Sequence, residues 1–196
     1  MLRKSDVMGK SEQTENRIID SFFNLAGRNQ KITVATLCKK ANITPPTFYS
    51  HFRSIDALVI AIRERTDDAI FAVMEKHTPT QNSASFEIIA DEILPLVYKN
   101  RVRLRILYTS GIDFEWWGFL EQRYMDWIKP YYEGAGEQYE ISDEFLLRYM
   151  AKSMITMISL WISEPIPDKP KIFKEKFLLL IETPLIQFVH KQQEKL

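Results

Sequence analysis

Residues 33–52 read TVATLCKKANITPPTFYSHF, and this stretch decides the fold. Thr33 is a candidate N-cap, because a threonine hydroxyl in front of a helix can accept a hydrogen bond from a free backbone N–H group. Asn42 tolerates the left-handed backbone conformation of a tight turn. Thr44 is a second candidate cap, and Pro45 follows it at the first helical position, where no N–H group is needed. The spacing predicts two short helices joined by a three-residue turn.

A longer amphipathic helix is predicted in front of this pair, over residues 11–26. Its apolar residues recur three and four positions apart, which places them on one face. Leu37 on the first short helix and Phe48 on the second are predicted to meet in a small core, with Cys38 where the two helices come closest. A supporting helix followed by this pair is a helix-turn-helix unit, whose second helix enters the major groove of DNA.

The charge is distributed unevenly along the chain. The 26 basic and 26 acidic residues balance to a formal net charge of zero. Residues 1–65 hold 11 basic and 6 acidic residues, which gives +5 and leaves −5 for the remainder. Local positive charge favours binding to phosphates, although chance asymmetry would give the same numbers. We predict a DNA-binding domain over residues 1–56 and a second domain over residues 57–196.

The composition is that of a soluble globular protein, with 45% hydrophobic and 27% charged residues among 196. No uninterrupted apolar run reaches the roughly 18–20 residues of a membrane helix, and the N-terminus lacks the apolar segment of a secretory signal. The single cysteine, Cys38, cannot form an internal disulfide, so we predict a cytoplasmic protein.

Because no phosphate-binding loop, catalytic triad or metal-ligand spacing is present, the sequence predicts no enzyme, metal site or cofactor.

Helix-forming residues dominate the chain, and no segment has the period-two alternation of a β-strand, so we predict an all-α protein. Polar or proline-rich segments at residues 78–85 and 163–170 should interrupt the helices. Pro95 and Pro184 should each kink the helix that contains them. The helices predicted beyond the motif span residues 55–76, 86–99, 102–110, 113–132, 142–162 and 171–194.

The motif resembles the DNA-binding domain of the tetracycline-repressor (TetR) family, over roughly residues 11–60. The most specific parts are the run TFYSHF at residues 47–52 and the continuation Ser54-x-Asp-x-Leu58. The chain length and the all-helical remainder are also similar to those of the family. The resemblance therefore implies a homodimeric transcriptional regulator, commonly a repressor, that binds a double-stranded, palindromic DNA operator.

Two positions depart from the family's pattern. Asn42 stands where the family usually has Gly, and Asn can still supply the turn. Ile55 stands where the family usually has Lys at the start of the fourth helix. The matching phosphate contact would then have to come from the neighbouring Arg53.

The resemblance also implies roles on DNA for residues in and around the second short helix. Some would bind phosphates and so fix the position of the helix, and others would face the base edges in the groove. The expected phosphate contacts are Thr33, Thr44, Tyr49 and His51, joined on grounds of charge by Lys40 and Arg53. The residues expected to face the groove are Pro45, Pro46, Thr47 and Ser50.

The second predicted domain is rich in aromatic residues and methionine. Core and dimer packing would explain any one of them. The family resemblance implies instead that some line a pocket for a small apolar or aromatic effector, whose identity the sequence does not give. The candidate pocket residues are Tyr108, Trp116, Trp117, Phe119, Tyr124, Met154, Met157 and Trp161.

The predicted helices at residues 142–162 and 171–194 carry apolar faces wider than one core requires. Joining them across a two-fold axis as a four-helix bundle would bury the excess and place two reading helices about one DNA turn apart. In the family, effector binding changes the spacing of the two DNA-binding domains. The alternative is a DNA-binding regulator that is controlled by a protein partner or that has no small-molecule effector.

Overall fold

A computed structural model describes residues 9–77, 85–109, 111, 115–132 and 134–183. Within these ranges all regular structure is helical, so the prediction of an all-α protein is confirmed. A π-helical turn at Ile89–Ile93 and a 3₁₀ turn at Glu137–Tyr139 supplement the α-helices. The helices are α1 (Lys10–Ala26), α2 (Val34–Ala41), α3 (Pro45–His51), α4 (Ile55–Lys76), α5 (Ser85–Ile88), α6 (Leu94–Lys99), α7 (Arg101–Thr109), α8 (Trp116–Tyr132), α9 (Asp143–Ser163) and α10 (Pro170–Glu182).

The chain divides into two compact units, Met1–Thr66 and Asp67–Leu196. The division lies inside α4, ten residues after the boundary expected from the sequence. The first turns of α4 belong to the N-terminal unit, where Leu58 and Ile62 are buried. They contribute to the core of that unit together with buried residues of α1, α2 and α3. We call the two parts the N-terminal unit and the C-terminal unit.

The helix-turn-helix forms as the local signals predict. Thr33 caps α2, Asn42 ends it with a left-handed φ of 53°, and Thr44 caps α3 with Pro45 at the first helical position. Cys38 is buried, as expected for the small residue between the two short helices. The motif is therefore specified largely by residues that act on their immediate neighbours.

The helix predicted over residues 86–99 is modified around Pro95. Proline has no N–H group to donate to the carbonyl four residues earlier, and its ring would collide with that carbonyl. The turn before it widens into the π-helical segment, in which the Leu94 N–H donates to the Ile89 carbonyl. The sequence predicts a kink here but not the widened turn. Pro184 and residues 78–84, to which other predictions refer, lie outside the described residues.

In the C-terminal unit, α9 is long and apolar enough to cross a membrane when only length and composition are considered. Eight of its 21 residues are buried within the unit, and one such helix is weak evidence for a membrane span. The Trp161 ring at its end stacks on Phe173 of α10 with the centroids 4.2 Å apart. The interruption predicted at residues 163–170 lies between these two helices.

Candidate nucleic-acid interface

Helix α3 has one buried and one exposed side. Phe48 is fully buried in the N-terminal unit, and its ring lies 6.1 Å from that of Phe52. Tyr49, the next residue, is 55% exposed, which leaves its hydroxyl available to a partner. The exposed side thus consists of short polar groups, two prolines and one tyrosine, a surface that can lie against DNA without burying an apolar patch.

Hydroxyl groups fix the start of α3. The Thr44 hydroxyl accepts a hydrogen bond from the backbone N–H of Thr47 at 3.4 Å and lies 2.9 Å from the Thr47 hydroxyl. The Ser50 hydroxyl donates to the Thr47 carbonyl at 2.8 Å. These bonds hold the side chains in defined positions before any partner is bound, so less conformational entropy is lost on binding.

The start of α2 is fixed by a reciprocal pair of threonines. The Thr33 hydroxyl accepts from the Thr36 N–H at 3.1 Å, and the Thr36 hydroxyl accepts from the Thr33 N–H at 2.9 Å. This is a capping box in which Thr36 takes the place usually held by Glu or Gln. The sequence predicts Thr33 as the cap but not its partner, because Thr at the third position is an uncommon choice.

The ten residues predicted to contact DNA all lie on or beside the two short helices, and they differ in exposure. Three are half-buried, so only part of each side chain can touch a partner: Thr33, Thr47 and His51. The other seven are exposed: Lys40, Thr44, Pro45, Pro46, Tyr49, Ser50 and Arg53. Ile55, which replaces the family's usual Lys, is half-buried at the start of α4. Arg53 is thus the exposed cation at this corner.

Glu15 of α1 holds His51 in place, a role that sequence reasoning missed. The Glu15 carboxylate lies 3.2 Å from His51 Nδ1 and also pairs with the guanidinium of Arg65 on α4. The hydrogen bond from Arg65, above all, lowers the pKa of Glu15, with a smaller contribution from His51. Since the His51 ring is anchored through Nδ1, its Nε2 atom is the one left for an external partner.

We expect Glu15→Gln to lower the free energy of unfolding by about 1 kcal/mol at neutral pH, because the neutral amide attracts Arg65 and His51 less strongly. The pKa of Glu15 is lower in the folded chain. Its contribution is therefore complete above the unfolded pKa and is lost as the pH falls through the folded value. Urea unfolding followed by circular dichroism measures the difference.

Glu12→Gln, on the exposed face of the same helix, is the matched control for this substitution. It should change the unfolding free energy by less than Glu15→Gln does. Equal effects of the two variants would mean that the cluster does not stabilise the N-terminal unit. A difference that persists at acidic pH would contradict the electrostatic explanation.

Ring contacts join four of the eight residues predicted to line an effector pocket and set Trp161 apart from them. The Tyr108 ring lies 5.9 Å from Trp116 and 5.2 Å from Trp117, and the Trp116 ring lies 6.2 Å from Phe119. The ring contacts of Trp161 are instead with Tyr98 and Phe173. Trp161 therefore has a packing role between α9 and α10. Of the other predicted residues, Tyr124 and Met154 are buried and Met157 is half-buried.

Two surface grooves lie elsewhere. One, of about 540 Å³ in the N-terminal unit, is lined by Leu25, Gln30, Lys31, Thr36, Lys39 and Lys40. The other, of about 580 Å³ in the C-terminal unit, is lined by Ala90, Asp91, Pro95, Pro170, Lys171, Lys174 and Glu175. Neither includes a residue of the predicted pocket. In the part of the chain that the structure describes, no three His, Cys, Asp or Glu side chains are grouped to hold a metal ion.

Comparison with known proteins shows that the motif is similar to that of a recognised family. The family model described as "Bacterial regulatory proteins, tetR family" matches residues 30–62, which include α2, α3 and the start of α4. No curated protein matches the chain.

Solved structures with the same fold extend the likeness to most of the chain. A transcriptional regulator of the TerR/AcrR family from Aquifex aeolicus VF5 has a TM-score of 0.60 and 19% identity, over 86% of this chain and 99% of that one. A TetR transcriptional regulator from Streptococcus agalactiae 2603V has a TM-score of 0.59 and 19% identity, over 89% and 96%. The dihydroxyacetone kinase operon activator DhaS has a TM-score of 0.55 and 17% identity, over 85% and 93%. At these identities the likeness establishes the fold.

Proposed function

We propose that this chain, a DNA-binding transcriptional regulator of the tetracycline-repressor family, represses transcription as a cytoplasmic homodimer on a palindromic operator and releases it when a small effector binds the C-terminal unit. The observation that carries the proposal is the capped helix α3, whose exposed side carries Thr44, Tyr49 and Ser50. Such a helix enters the major groove with its first residues toward the bases.

The contacts on DNA divide by chemistry. Tyr49, with its exposed hydroxyl, and Thr44, at the positive end of α3, are suited to phosphate oxygens. His51 can add a third phosphate contact when its ring carries both protons, because Nδ1–H then donates to Glu15 and Nε2–H is left for the phosphate. Thr47 lies one turn into the helix, where a hydroxyl and a methyl group can read a base edge.

Tyr49→Ala should weaken binding to all DNA sequences alike, by about threefold to tenfold, because a phosphate contact carries no sequence information. Thr47→Ala should instead relax the preference at one base position, with a loss of about 1–3 kcal/mol for the preferred base. Fluorescence anisotropy on the operator and on its single-base variants measures both effects.

Ser11→Ala, at the exposed start of α1, is the control and should bind as the wild type does. If Tyr49→Ala and Thr47→Ala both bind the operator as tightly as the wild type, these residues do not contact DNA. An altered base preference in Tyr49→Ala would mean that Tyr49 reads a base edge and not a phosphate.

The proposed dimer uses exposed apolar residues on α9 and α10. Phe145, Tyr149 and Leu160 lie on one side of α9, since they are separated by four and eleven residues. Ile172 and Leu179 form a similar exposed stripe on α10. Two such faces per chain favour a two-fold interface of the same surface on both subunits. The two helices of each chain would then form a four-helix bundle.

Selection of genomic DNA fragments bound by the full chain tests the function. We expect an inverted repeat whose half-sites lie about 10 base pairs apart, since each subunit reads one half-site. Enrichment of unrelated or asymmetric sequences would contradict the dimeric proposal. A reporter gene behind that operator then measures the direction of control, which matters because one structure of this fold belongs to an operon activator.

The effector is proposed to act through its different affinities for the DNA-binding and released states. A compound that binds the folded chain raises its melting temperature by mass action, so a thermal-shift screen separates control by a small molecule from control by a protein partner. Release of operator DNA by the same compound would identify it as the effector.

A further inference from the structure

The side chain of Asp67, on the α4 segment of the C-terminal unit, is buried without adequate partners. It is 1% exposed, and its Oδ2 atom accepts no hydrogen bond. A carboxylate removed from water in this way is unfavourable unless its lone pairs are used. Buried polar atoms nearly always have partners in folded proteins, so one without a partner calls for an explanation.

The nearest positive charge does not compensate Asp67. Arg123 of α8 lowers the pKa of Asp67, but the burial of the carboxyl group and the neighbouring Asp68 raise it, and the result is about 7. The guanidinium carbon of Arg123 lies 3.7 Å from the centroid of the Phe71 ring, which occupies it in a cation–π contact.

A second orphan group lies in the same part of the unit. Trp116 is fully buried, and its Nε1–H has no acceptor. Two other tryptophans of this unit are satisfied, because Trp127 donates to the Met74 carbonyl at 3.0 Å and Trp161 donates to the Asp168 carbonyl at 2.9 Å. The missing acceptor at Trp116 is therefore not a general property of the core.

Tyr108 connects the two orphan groups. Its ring lies 5.9 Å from that of Trp116, and the charge of Asp67 contributes, after burial and Tyr124, to raising the pKa of its hydroxyl. Asp67 therefore lies near enough to Tyr108 and Tyr124 for its charge to act on both hydroxyls, and the face of an aromatic ring attracts a cation. A carboxylate with aromatic neighbours suits a cation with an apolar body, whereas it repels an anion.

We propose that Asp67, Tyr108 and Trp116 belong to an effector site that selects organic ammonium compounds with an aromatic or apolar body. The ammonium group donates to Oδ2 of Asp67 and lies against the Tyr108 and Trp116 rings, and an acceptor atom on the body receives the Trp116 N–H. The inference rests on the effector control proposed above and adds the chemical class of the effector.

Three probes of one shape test the charge preference: 2-naphthylmethylammonium, the neutral 2-naphthylmethanol and the anionic 2-naphthoate. Calorimetric titration of the full chain at about pH 8, where the Asp67 carboxyl is ionised, should give an affinity for the ammonium at least tenfold above that for the alcohol, with naphthoate weakest. Asp67→Asn should remove the preference. Asp68→Asn, which changes the exposed carboxyl next in the chain, should keep it.

Equal affinities for the three probes in the wild type, a preference for the alcohol or for naphthoate, or no binding of the ammonium at millimolar concentration would each overturn the proposal. So would an ammonium preference that survives in Asp67→Asn. Trp116→Phe keeps an aromatic ring, so the charge preference should also persist in that variant.

The two proposals can fail separately. If the ammonium binds with an Asp67-dependent preference and leaves operator affinity unchanged, the proposed site is supported, but the proposal that its ligand controls DNA binding is wrong. If only compounds without a positive charge release the operator, control by a small effector is supported, but the proposed chemical class of the effector is wrong.

Discussion

Leu160→Glu is expected to convert the proposed dimer into a monomer and to weaken operator binding by about 10²–10⁴-fold, the range that bivalent attachment typically contributes. Leu160 is 65% exposed near the end of α9 and lies on the same side of the helix as Phe145 and Tyr149. A carboxylate at this position would be buried in the proposed two-fold interface, which would then hold two uncompensated charges with little water.

Sedimentation measures the association, and anisotropy with one and with two half-sites measures the DNA affinity. The matched control is Val102→Glu, which places the same charge on an exposed valine of α7. It should leave both measurements unchanged. Affinity for a single half-site should survive in Leu160→Glu, because the N-terminal unit is untouched. A dimeric Leu160→Glu protein with full operator affinity would show that the interface lies elsewhere.

Asp67→Asn is expected to stabilise the C-terminal unit at about pH 8 by up to about 4 kcal/mol and to have little effect near pH 4. Burial raises the pKa of Asp67 from 3.8 to about 7. Between these pH values the folded chain keeps a proton that the unfolded chain has lost, so the wild type loses stability as the pH rises. Above about pH 7 the loss is complete, and the asparagine avoids it throughout.

Urea unfolding at a series of pH values measures this effect. All four tryptophans, at positions 116, 117, 127 and 161, lie in the C-terminal unit, so their fluorescence reports on that unit. The charged groups that act on Asp67 are Arg123 and Asp68. Asp67 in turn contributes to raising the pKa of Tyr108 and of Tyr124. Asp68→Asn is the control and should shift the pH profile of the wild type only slightly, because Asp68 is the smallest of the three influences on the pKa of Asp67. If the unfolding free energy of Asp67→Asn changes with pH in parallel with that of the wild type, ionisation of Asp67 does not destabilise the folded chain.

The features that the sequence predicts well are those decided within a few residues. The caps at Thr33 and Thr44, the left-handed turn at Asn42 and the interruption at the Ser163–Pro170 segment depend on neighbours one to four positions away. The predicted helix ends therefore agree closely with those observed, except at α10. That helix is predicted to continue to residue 194 but ends at Glu182, because Thr183 is extended, as a residue before a proline tends to be.

The features that the sequence does not reveal join distant positions. Glu15 meets His51 and Arg65 across 36 and 50 residues, and no local pattern marks it as the residue that anchors the His51 ring. Asp67 and Asp68 look like a solvated acidic pair, yet the first is buried and the second exposed. Aromatic residues of α7 and α8 are conspicuous in the sequence, but only their packing separates the Tyr108 group from Trp161.

The burial of Cys38 gives the N-terminal unit a built-in chemical reporter. The thiol is the protein's single cysteine, it is buried in α2, and burial raises its pKa, so thiolate-directed reagents reach it only when the small core around Leu37 and Phe48 opens. The rate of thiol labelling therefore measures how often the DNA-binding unit opens locally, independently of the tryptophan-bearing unit. Local opening of the DNA-binding unit can therefore be followed in the native protein, without an engineered label.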